Sequence, residues 1–359
     1  MPKIAIDVSP LSDGNKIRGI GYYTKNLVKA LQSEIKINPD YHDFQIDLIR
    51  NSKLEIRNYD LIHYPYFDPF KLTLPPTTTP FIVTVHDLIP RQFKSHFPVG
   101  IRGEIKWFIQ KRRLKKAKCI IVPSLNAKYS VVDIINYPSN LIFVTALAAD
   151  SSFHPITNPK KLKSIKKKYQ LPNKFVLYVG DLNWNKNVPS LVNACLQLNY
   201  PLVIVGSAAV KDVTVHPWNK DIIWLQTLAP KYQSSKALIL TGFVPNTDLP
   251  SIFNLATLYC QPSFAEGFGL PLLQAMQVGT PTLFANTSSL PEISSFSGLS
   301  FNPNSSSDLQ KKLTLLWTNS KLREEYSQKG LARSSHFSWR YTARQTLAVY
   351  NYSCINDQK

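Results

Sequence analysis

Residues 265–281 combine a carboxylate, a glycine-containing turn and the start of a predicted helix. Glu266 follows a short apolar strand, Leu258–Cys260, and the turn behind it ends at Gly269. Pro271 fits the first turn of a helix, where the N–H that proline lacks would have no intrahelical partner. The partial positive charge of that turn suits phosphate, and glycine lets the backbone approach the ligand closely. Because Glu266 would stand beside this anion and could bind hydroxyl groups, the stretch predicts a site for a sugar nucleotide.

A turn with two glycines is weak evidence by itself, because strand–glycine–helix joins occur throughout α/β proteins. The whole string Glu-Gly-Phe-Gly-Leu-Pro is more specific, and it resembles the signature of retaining glycosyltransferases of family 4, which have the GT-B fold. The family pattern has a second Glu, but Gln274 stands at that position, with Glu266 at the first. An amide keeps an oxygen acceptor and loses the charge, which we expect to weaken binding of a ribose diol about tenfold.

The resemblance extends over almost the whole chain and implies roles for individual residues. It assigns the donor diphosphate to four residues: Lys186, Phe268, Gly269 and Leu270. Glu266 and His86 would hold the sugar ring as the catalytic pair, and Gln274 would contact the ribose. The resemblance also implies retention of anomeric configuration, with no metal or other cofactor. Because the start of the chain resembles mannosyl-transferring members, the expected donor is GDP-mannose.

Arg18–Tyr23 is a second glycine-containing segment, between the first predicted strand and a helix with apolar periodicity. Taken alone, it is explained as well by a turn before a helix as by an anion-binding loop. Many members of the resembled family close a glycine-rich loop over the donor phosphates at this place. The resemblance therefore adds Gly19 and Gly21 to the donor-binding candidates.

Thr84–Asp87 ends a buried strand of the first half, where a histidine can face a cleft and hydrogen-bond a sugar hydroxyl. A histidine that supports the next loop explains the pattern equally simply. His86 and Asp87 match a His-Asp pair of the resembled family, which favours a role in the site. His63 ends another strand and is a further candidate for lining the same cleft.

Gly180–Asn187 follows the first strand of the second half. The resembled family often has Arg after this glycine and a lysine five residues later, and both bind the diphosphate. Lys186 fits the lysine, whereas Asp181 replaces the arginine. A carboxylate about 6 Å from a phosphate would cost roughly 3 kcal/mol at an effective dielectric constant of about 20, so we expect Asp181 to hydrogen-bond its own loop as an Asx turn. Phe243, in a string that also resembles the family, is another donor-binding candidate.

The composition fits a folded protein with an acidic partner. The chain has 359 residues, of which 44% are apolar, and a formal net charge of +19. The length favours two domains, and the charge favours nucleic acid, anionic lipid or phosphorylated substrates. No recognisable nucleic-acid-binding module appears, so nucleic acid is the weaker alternative. The four cysteines are far apart, which indicates neither zinc nor a disulfide framework and favours a reducing cytoplasm.

Two segments rich in lysine and arginine could contact an anionic surface. Residues 102–118 hold eight Lys or Arg between apolar side chains that include Trp107, and residues 160–168 hold six Lys. A solvated helix face explains both segments, but the first is also basic and amphipathic, as at an anionic membrane surface. No apolar run approaches the roughly 20 residues that span a bilayer. We expect a cytoplasmic protein, and two interpretations of 102–118 stay open: a solvated helix face, or peripheral contact with the inner membrane face.

Short apolar runs alternate with amphipathic segments from end to end, which predicts parallel sheets with helices on both faces. Strands are predicted in the first half at Lys3–Val8, Gln45–Ile49, Asp60–His63, Phe81–His86, Cys119–Val122 and Leu141–Thr145. Strands are predicted in the second half at Phe175–Gly180, Leu202–Gly206, Leu238–Thr241, Leu258–Cys260 and Thr282–Phe284. Helices are predicted at Tyr22–Ser33, Ile101–Ala117, Asn126–Asn136, Val188–Gln197, Leu249–Leu255, Leu272–Val278, Leu309–Trp317 and Ser338–Tyr352.

The expected architecture is α/β, with two Rossmann-like doubly wound domains facing a cleft, as in the GT-B fold. We expect an acceptor-side domain over 1–155, a donor-side domain over 156–338, and a final helix over 339–359. In GT-B relatives such a helix crosses back to the first domain, and the resemblance implies the same here.

Three hypotheses about function follow from these features. The first is transfer of a hexosyl group, mannosyl being favoured, from a nucleoside diphosphate sugar to a hydroxyl of a glycan or lipid-linked acceptor. The second is a degenerate relative that binds a sugar nucleotide without turnover, which Gln274 and Asp181 motivate. The third, given the charge, is a nucleic-acid-binding protein. The loops of the first domain carry no readable pattern that identifies the acceptor.

Overall fold

The computed structural model describes residues 2–12, 19–50, 58–210, 219–232 and 235–355. The chain divides into two compact units. Unit 1 comprises Met1–Ala148 and Phe337–Lys359, and unit 2 comprises Ala149–His336.

The described part of unit 1 contains a six-stranded parallel sheet in the order β2-β1-β3-β4-β5-β6. Its strands are β1 (Lys3–Asp7), β2 (Gln45–Ile49), β3 (Leu61–Tyr64), β4 (Phe81–Thr84), β5 (Cys119–Val122) and β6 (Ile142–Val144). Its first helices are α1 (Gly19–Ile37), α2 (Ile89–Gln92), α3 (Gly100–Leu114) and α4 (Leu125–Ile135). Strands β3, β4 and β5 are buried at every residue, which explains why they read as continuous apolar runs.

The described part of unit 2 contains a second six-stranded parallel sheet, in the order β12-β11-β10-β7-β8-β9. Its strands are β7 (Val176–Val179), β8 (Leu202–Val205), β9 (Leu238–Gly242), β10 (Leu258–Gln261), β11 (Thr282–Ala285) and β12 (Leu299–Phe301). Its helices are α5 (Pro159–Lys168), α6 (Val188–Gln197), α7 (Lys220–Leu228), α8 (Leu249–Leu255), α9 (Leu270–Gln277), α10 (Leu290–Ser294), α11 (Ser306–Thr318) and α12 (Ser320–Ser334).

Polar side chains fix where several helices begin. The hydroxyl of Ser124 accepts the Ala127 amide at the start of α4, and Asn158 accepts two amides at the start of α5. Such caps satisfy N–H groups that have no partner within the helix. Asn136, in the left-handed conformation with φ of 56°, ends α4 in the way that short polar residues tolerate.

The last helix of the described chain, α13 (Trp339–Ile355), belongs to unit 1 and packs on α1. Glu34 of α1 is buried and accepts hydrogen bonds from Arg340 and Arg344 of α13. Burial raises the pKa of the Glu34 carboxyl, but the bonds from the two arginines outweigh burial and lower it overall. These contacts confirm the expectation that the final helix returns to the first domain.

The structure confirms an α/β fold of two doubly wound units, and most predicted strands agree with it to within one or two residues. The helix predicted over Tyr22–Ser33 is longer, since α1 starts at Gly19. Elements that the sequence patterns missed are short or weakly apolar: β12, α2, α7, α10 and α12.

Candidate active site

The candidate site of unit 2 lies where the strand order of its sheet reverses. The chain runs from β7 through β8 to β9 on one side, and then returns to β10 on the other side of β7. Strands β7 and β10 pair in parallel, so their carboxyl ends lie at the same edge of the sheet. Ligands of open α/β sheets bind at such reversals. The segments after these two strands carry Lys186 and Glu266.

Backbone and amide hydrogen bonds hold the two segments side by side. The Phe264 amide donates to the Asn185 carbonyl at 2.8 Å, and the Asn185 side chain donates to the Ala265 carbonyl at 2.9 Å. Asn187 donates to the Pro262 carbonyl at 3.1 Å and has a positive φ of 51°, which ends the 3-10 turn that carries Lys186. Hydrogen bonds therefore fix the positions of the two loops that carry Lys186 and Glu266.

Lys186 and Glu266 form an ion pair in this site. Lys186 Nζ lies 2.8 Å from both Oε1 and Oε2 of Glu266. The Lys186 side chain is 21% exposed and the Glu266 side chain 8%. The structure thus brings together the residue predicted to bind the diphosphate and the residue predicted to bind the sugar.

Three residues that the sequence patterns missed form a hydrogen-bond network with Glu266. Gln261 Nε2 and Ser263 Oγ each donate to Glu266 Oε1 at 2.7 Å. The Tyr259 hydroxyl donates to Gln261 Oε1 at 2.7 Å. The signal that could have found them is a polar residue, Gln261, at the carboxyl end of an otherwise apolar strand that leads to Glu266.

The glycine turn between Glu266 and α9 is clamped by two serines. Ser288 Oγ accepts the Glu266 amide at 3.0 Å and donates to the Glu266 carbonyl at 2.8 Å. Ser289 Oγ lies 3.0 Å from the carbonyl oxygens of both Glu266 and Phe268. Phe268 is buried. No sequence pattern predicted a role for either serine.

Gly269 is the residue on which the turn depends. Its φ is +96°, and a Cβ built there would lie 2.7 Å from Leu290 Cδ2. Helix α9 begins with the next residue, Leu270, two residues before the predicted start, and Pro271 follows in its first turn. Gln274 is buried on α9, and its side-chain amide has no hydrogen-bond partner within the described chain.

Asp181 does not form the predicted Asx turn. Its side chain is exposed and makes no hydrogen bond to any described residue. The loop is held instead through the backbone, because the buried Tyr178 hydroxyl donates to the Asp181 carbonyl at 2.7 Å. Water can solvate the exposed Asp181 carboxylate, which therefore does not need the hydrogen bonds of an Asx turn. Phe243, the other candidate of unit 2, lies exposed directly after β9.

His86 lies in unit 1, two residues beyond the end of β4. Its Nε2 is 3.1 Å from the Pro65 carbonyl oxygen, and its ring meets the edge of Tyr23 with centroids 4.6 Å apart. Desolvation lowers the pKa of His86 to about 4, although the bond to Pro65 acts in the opposite direction. A neutral ring that donates from Nε2 leaves Nδ1 as an acceptor. Asp87 accepts the Ile89 amide at 3.1 Å and so helps to start α2.

His63 is a structural residue, and the expectation that it lines a cleft is wrong. It is fully buried, with Nδ1 2.7 Å from the Tyr350 hydroxyl and Nε2 2.8 Å from Thr84 Oγ1. Thr84 Oγ1 also lies 3.1 Å from the Tyr23 hydroxyl. Burial and the neighbouring His86 lower the pKa of His63 to about 3. Nδ1 joins β3 to α13 and Nε2 joins β3 to β4, so neither nitrogen is available to a sugar.

Gly19 and Gly21 lie in the first turn of α1 and not in a loop before it. Gly21 is buried, and an added Cβ at Gly19 would meet no atom within 4 Å. Arg18, which begins the predicted anion-binding segment, lies outside the described residues.

Helix α3 carries much of the basic segment 102–118. Trp107, expected on a surface-binding face, is 8% exposed and packs under the Arg91 guanidinium, 4.6 Å from its ring centroid. The exposed apolar residues are instead Ile101, Ile105 and Phe108, each more than half exposed. Their spacing places them on one stripe of the helix.

The described residues contain no group of three or more His, Cys, Asp or Glu side chains arranged to hold a metal ion. None of the helices found in the described ranges is both long enough and apolar enough to span a bilayer.

Comparison with known proteins adds to this geometry. Residues 160–333 match the sequence profile of the family described as glycosyl transferases group 1. The matched stretch lies within unit 2. The loops that bear Lys186 and Glu266 both lie within the matched residues.

The similar proteins of known name include mannosyltransferases. The chain is 27% identical to O-antigen chain mannosyltransferase B of Escherichia coli, over 93% of this chain and 96% of that protein. It is 31% identical to the serotype-specific mannosyltransferase WbdA of Escherichia coli, over 78% of this chain but only 34% of WbdA, so it spans about a third of that protein. HepE of Anabaena, solved in complex with UDP-glucose, superposes with a TM-score of 0.73 at 16% identity over 97% of this chain and 100% of that chain. That likeness, together with the two sheets, shows the GT-B fold.

Proposed function

We propose that the chain is a retaining glycosyltransferase that moves a hexosyl group, with mannosyl favoured, from a nucleoside diphosphate sugar to a hydroxyl of a glycan or lipid-linked acceptor. The observation that carries the proposal is the Lys186–Glu266 pair at the sheet reversal, beside the start of α9. A cation and a hydroxyl-binding carboxylate 2.8 Å apart match the junction between a diphosphate and the sugar that it carries.

The chemistry asks for stabilisation of negative charge on the leaving diphosphate. Lys186 supplies a positive charge, and the helix start at Leu270 supplies a favourable dipole. Glu266 orients the sugar through its hydroxyls, and Gln274 contacts the ribose. In a retaining path the acceptor attacks on the face that the diphosphate leaves, and the departing phosphate takes the acceptor proton.

The names of similar proteins support mannose as the transferred sugar, whereas HepE is a neighbour that binds UDP-glucose. A thermal-shift screen of GDP-mannose, GDP, UDP-glucose and UDP, followed by transfer assays with and without a chelator, tests donor and metal together. A ligand at 100 times its dissociation constant adds about 2.7 kcal/mol of stability. We expect GDP-mannose to give the largest shift and metal-independent turnover. A protein that no sugar nucleotide stabilises would contradict the proposal.

A degenerate relative that binds without turnover is the second candidate, favoured by Gln274 and by the exposed Asp181 near the diphosphate position. Steady release of GDP from GDP-mannose, alone or with an acceptor, excludes it. Binding of the donor with no release in either case would favour it.

We also propose that unit 1 contacts an anionic membrane through α3. Ile101, Ile105 and Phe108 border an open recess of about 710 Å³, which is lined largely by apolar side chains, with Arg91, Lys94 and Glu104 as its charged residues. Exposed basic side chains surround the stripe on the same helix, including Arg102, Lys106 and Arg112. Apolar residues that enter the headgroup region, with cations around them, match an anionic lipid surface.

Co-sedimentation with vesicles that contain anionic lipid tests this contact. Replacing Ile101, Ile105 and Phe108 together by Gln should abolish binding, and high salt should weaken wild-type binding. Ile37→Gln, at an exposed apolar residue on α1, is the matched control and should bind as the wild type does. Equal binding by the triple variant, or no binding by the wild type, would contradict the proposal.

A further inference from the structure

The two carboxylate oxygens of Glu266 have unequal surroundings. Oε1 accepts hydrogen bonds from Lys186 Nζ at 2.8 Å, Gln261 Nε2 at 2.7 Å and Ser263 Oγ at 2.7 Å. Within the described part of the chain, Oε2 accepts from Lys186 Nζ alone, also at 2.8 Å. The protein therefore saturates Oε1, whereas Oε2 keeps the capacity to accept from a ligand hydroxyl.

Tyr259 determines how the Gln261 amide is oriented. The amide has one orientation in which its NH2 faces the carboxylate and its oxygen faces the Tyr259 hydroxyl, 2.7 Å away. The reverse orientation would place the amide oxygen of Gln261 against the Glu266 carboxylate, and two acceptors cannot form a hydrogen bond. Tyr259 and Ser263 are fully buried and Gln261 is 2% exposed, so all three act through Glu266 and not on the ligand.

We propose that Tyr259, Gln261 and Ser263 form a positioning relay, which holds Oε1 of Glu266 and presents Oε2 to the transferred sugar. This inference rests on the proposed glycosyl transfer. The relay has a second consequence in the same site. When Lys186 binds the diphosphate, its ion pair with Glu266 weakens. Gln261 and Ser263 then still donate hydrogen bonds to the Glu266 carboxylate, which would be costly to bury without partners.

Gln261→Met and Ser263→Ala each remove one donor to Oε1 with little change of shape. Because a hydrogen bond to a charged group is at stake, we expect kcat to fall on the order of tenfold in each variant. Tyr259→Phe leaves the amide contact to Glu266 in place and should lower kcat only a few-fold. The affinity for free nucleoside diphosphate should stay within about twofold of the wild type, since the three side chains act on Glu266 and not on the phosphate.

Tyr137→Phe is the matched control for the loss of a buried hydroxyl. Tyr137 lies in the hydrophobic core of unit 1 and donates to the Ala117 carbonyl at 2.7 Å. It should lose stability much as Tyr259→Phe does but keep kcat. A shared loss of kcat in both variants would indicate a general effect of stability and would overturn the relay.

The pH dependence of activity in Gln261→Glu distinguishes a positioning role from a purely structural one. Two carboxylates that share this buried place raise the pKa of one of them, and the protonated form can donate the bond that the amide donated. Activity of Gln261→Glu should therefore recover as pH falls, relative to the wild type, whereas Gln261→Met should show no such recovery. If Gln261→Met does not fold, Gln261→Glu and Ser263→Ala decide the matter.

The wild type is assayed first with the donor panel. Absence of turnover overturns the proposed function and the relay with it. Turnover by the wild type, together with undiminished kcat in folded Gln261→Met and Ser263→Ala, overturns the relay alone.

Discussion

The Glu266→Gln variant separates nucleotide binding from sugar transfer. Lys186 Nζ is 2.8 Å from both carboxylate oxygens, so the carboxylate offsets much of the charge that a diphosphate would meet. A carboxylate about 6 Å from a phosphate repels it by roughly 3 kcal/mol at an effective dielectric constant of about 20. Lys186 is 21% exposed, and water screens part of this energy. If about half remains, the neutral amide binds a nucleoside diphosphate roughly tenfold more tightly.

Transfer should change in the opposite direction. The amide loses the charged hydrogen bonds to the sugar, each worth about 1.5–3 kcal/mol, so we expect kcat to fall on the order of a hundredfold. Calorimetric titration with GDP and a transfer assay measure the two effects on the same preparation. Glu325→Gln, which breaks an exposed pair with Lys329 on α12, is the matched control and should change neither. A parallel loss of GDP affinity and transfer in a folded Glu266→Gln protein would refute the reasoning.

Three further predictions concern other parts of the molecule. Gly269→Ala should lower the free energy of unfolding by about 1–3 kcal/mol in urea titration, because of its φ of +96° and the 2.7 Å approach of Leu290; unchanged stability would contradict the assigned strain. Gln274→Glu should tighten binding of GDP-mannose about tenfold in calorimetry, and no gain would remove this residue from the ribose contact. The folded-state pKa of His63 is about 3, below the ordinary 6.5, so the stability due to its neutral form is present above pH 6.5 and is lost as pH falls. In chemical denaturation, the free energy of unfolding should fall by about 2 kcal/mol between pH 6.5 and pH 5 on account of His63. In a His63→Asn variant the fall over the same range should be smaller by this amount.

The sequence predicted the sheets well because parallel strands buried on both faces are continuous apolar runs. Cys119–Val122, which is buried at every residue, was placed at its observed bounds. Strand β12, Leu299–Phe301, was missed because it is three residues long, lies at the edge of its sheet and is half-exposed at two of them. Helix α12 was missed because its buried residues are only Gly330 and Ser334, which leave no apolar period to detect.

The candidate site was predictable only in part, because a linear pattern gives positions along strands and not partners across them. Lys186 and Glu266 were identified from motifs, but their ion pair depends on β7 and β10 being neighbours. His63 and His86 each end a predicted strand and look alike in sequence. They differ because Tyr350, nearly 290 positions later, contacts one of them. The sequence likewise suggests that Trp107 is exposed on a membrane-binding face, but in the structure its ring is buried against Arg91.

A crystal structure with a bound nucleoside diphosphate sugar would show how the donor is held. We expect diphosphate oxygens against Lys186 Nζ and the backbone of Phe268–Leu270, with a hydroxyl of the transferred sugar within hydrogen-bond distance of Glu266 Oε2. A donor bound elsewhere on the chain, with the Lys186–Glu266 pair unchanged and closed to it, would contradict the proposed donor site.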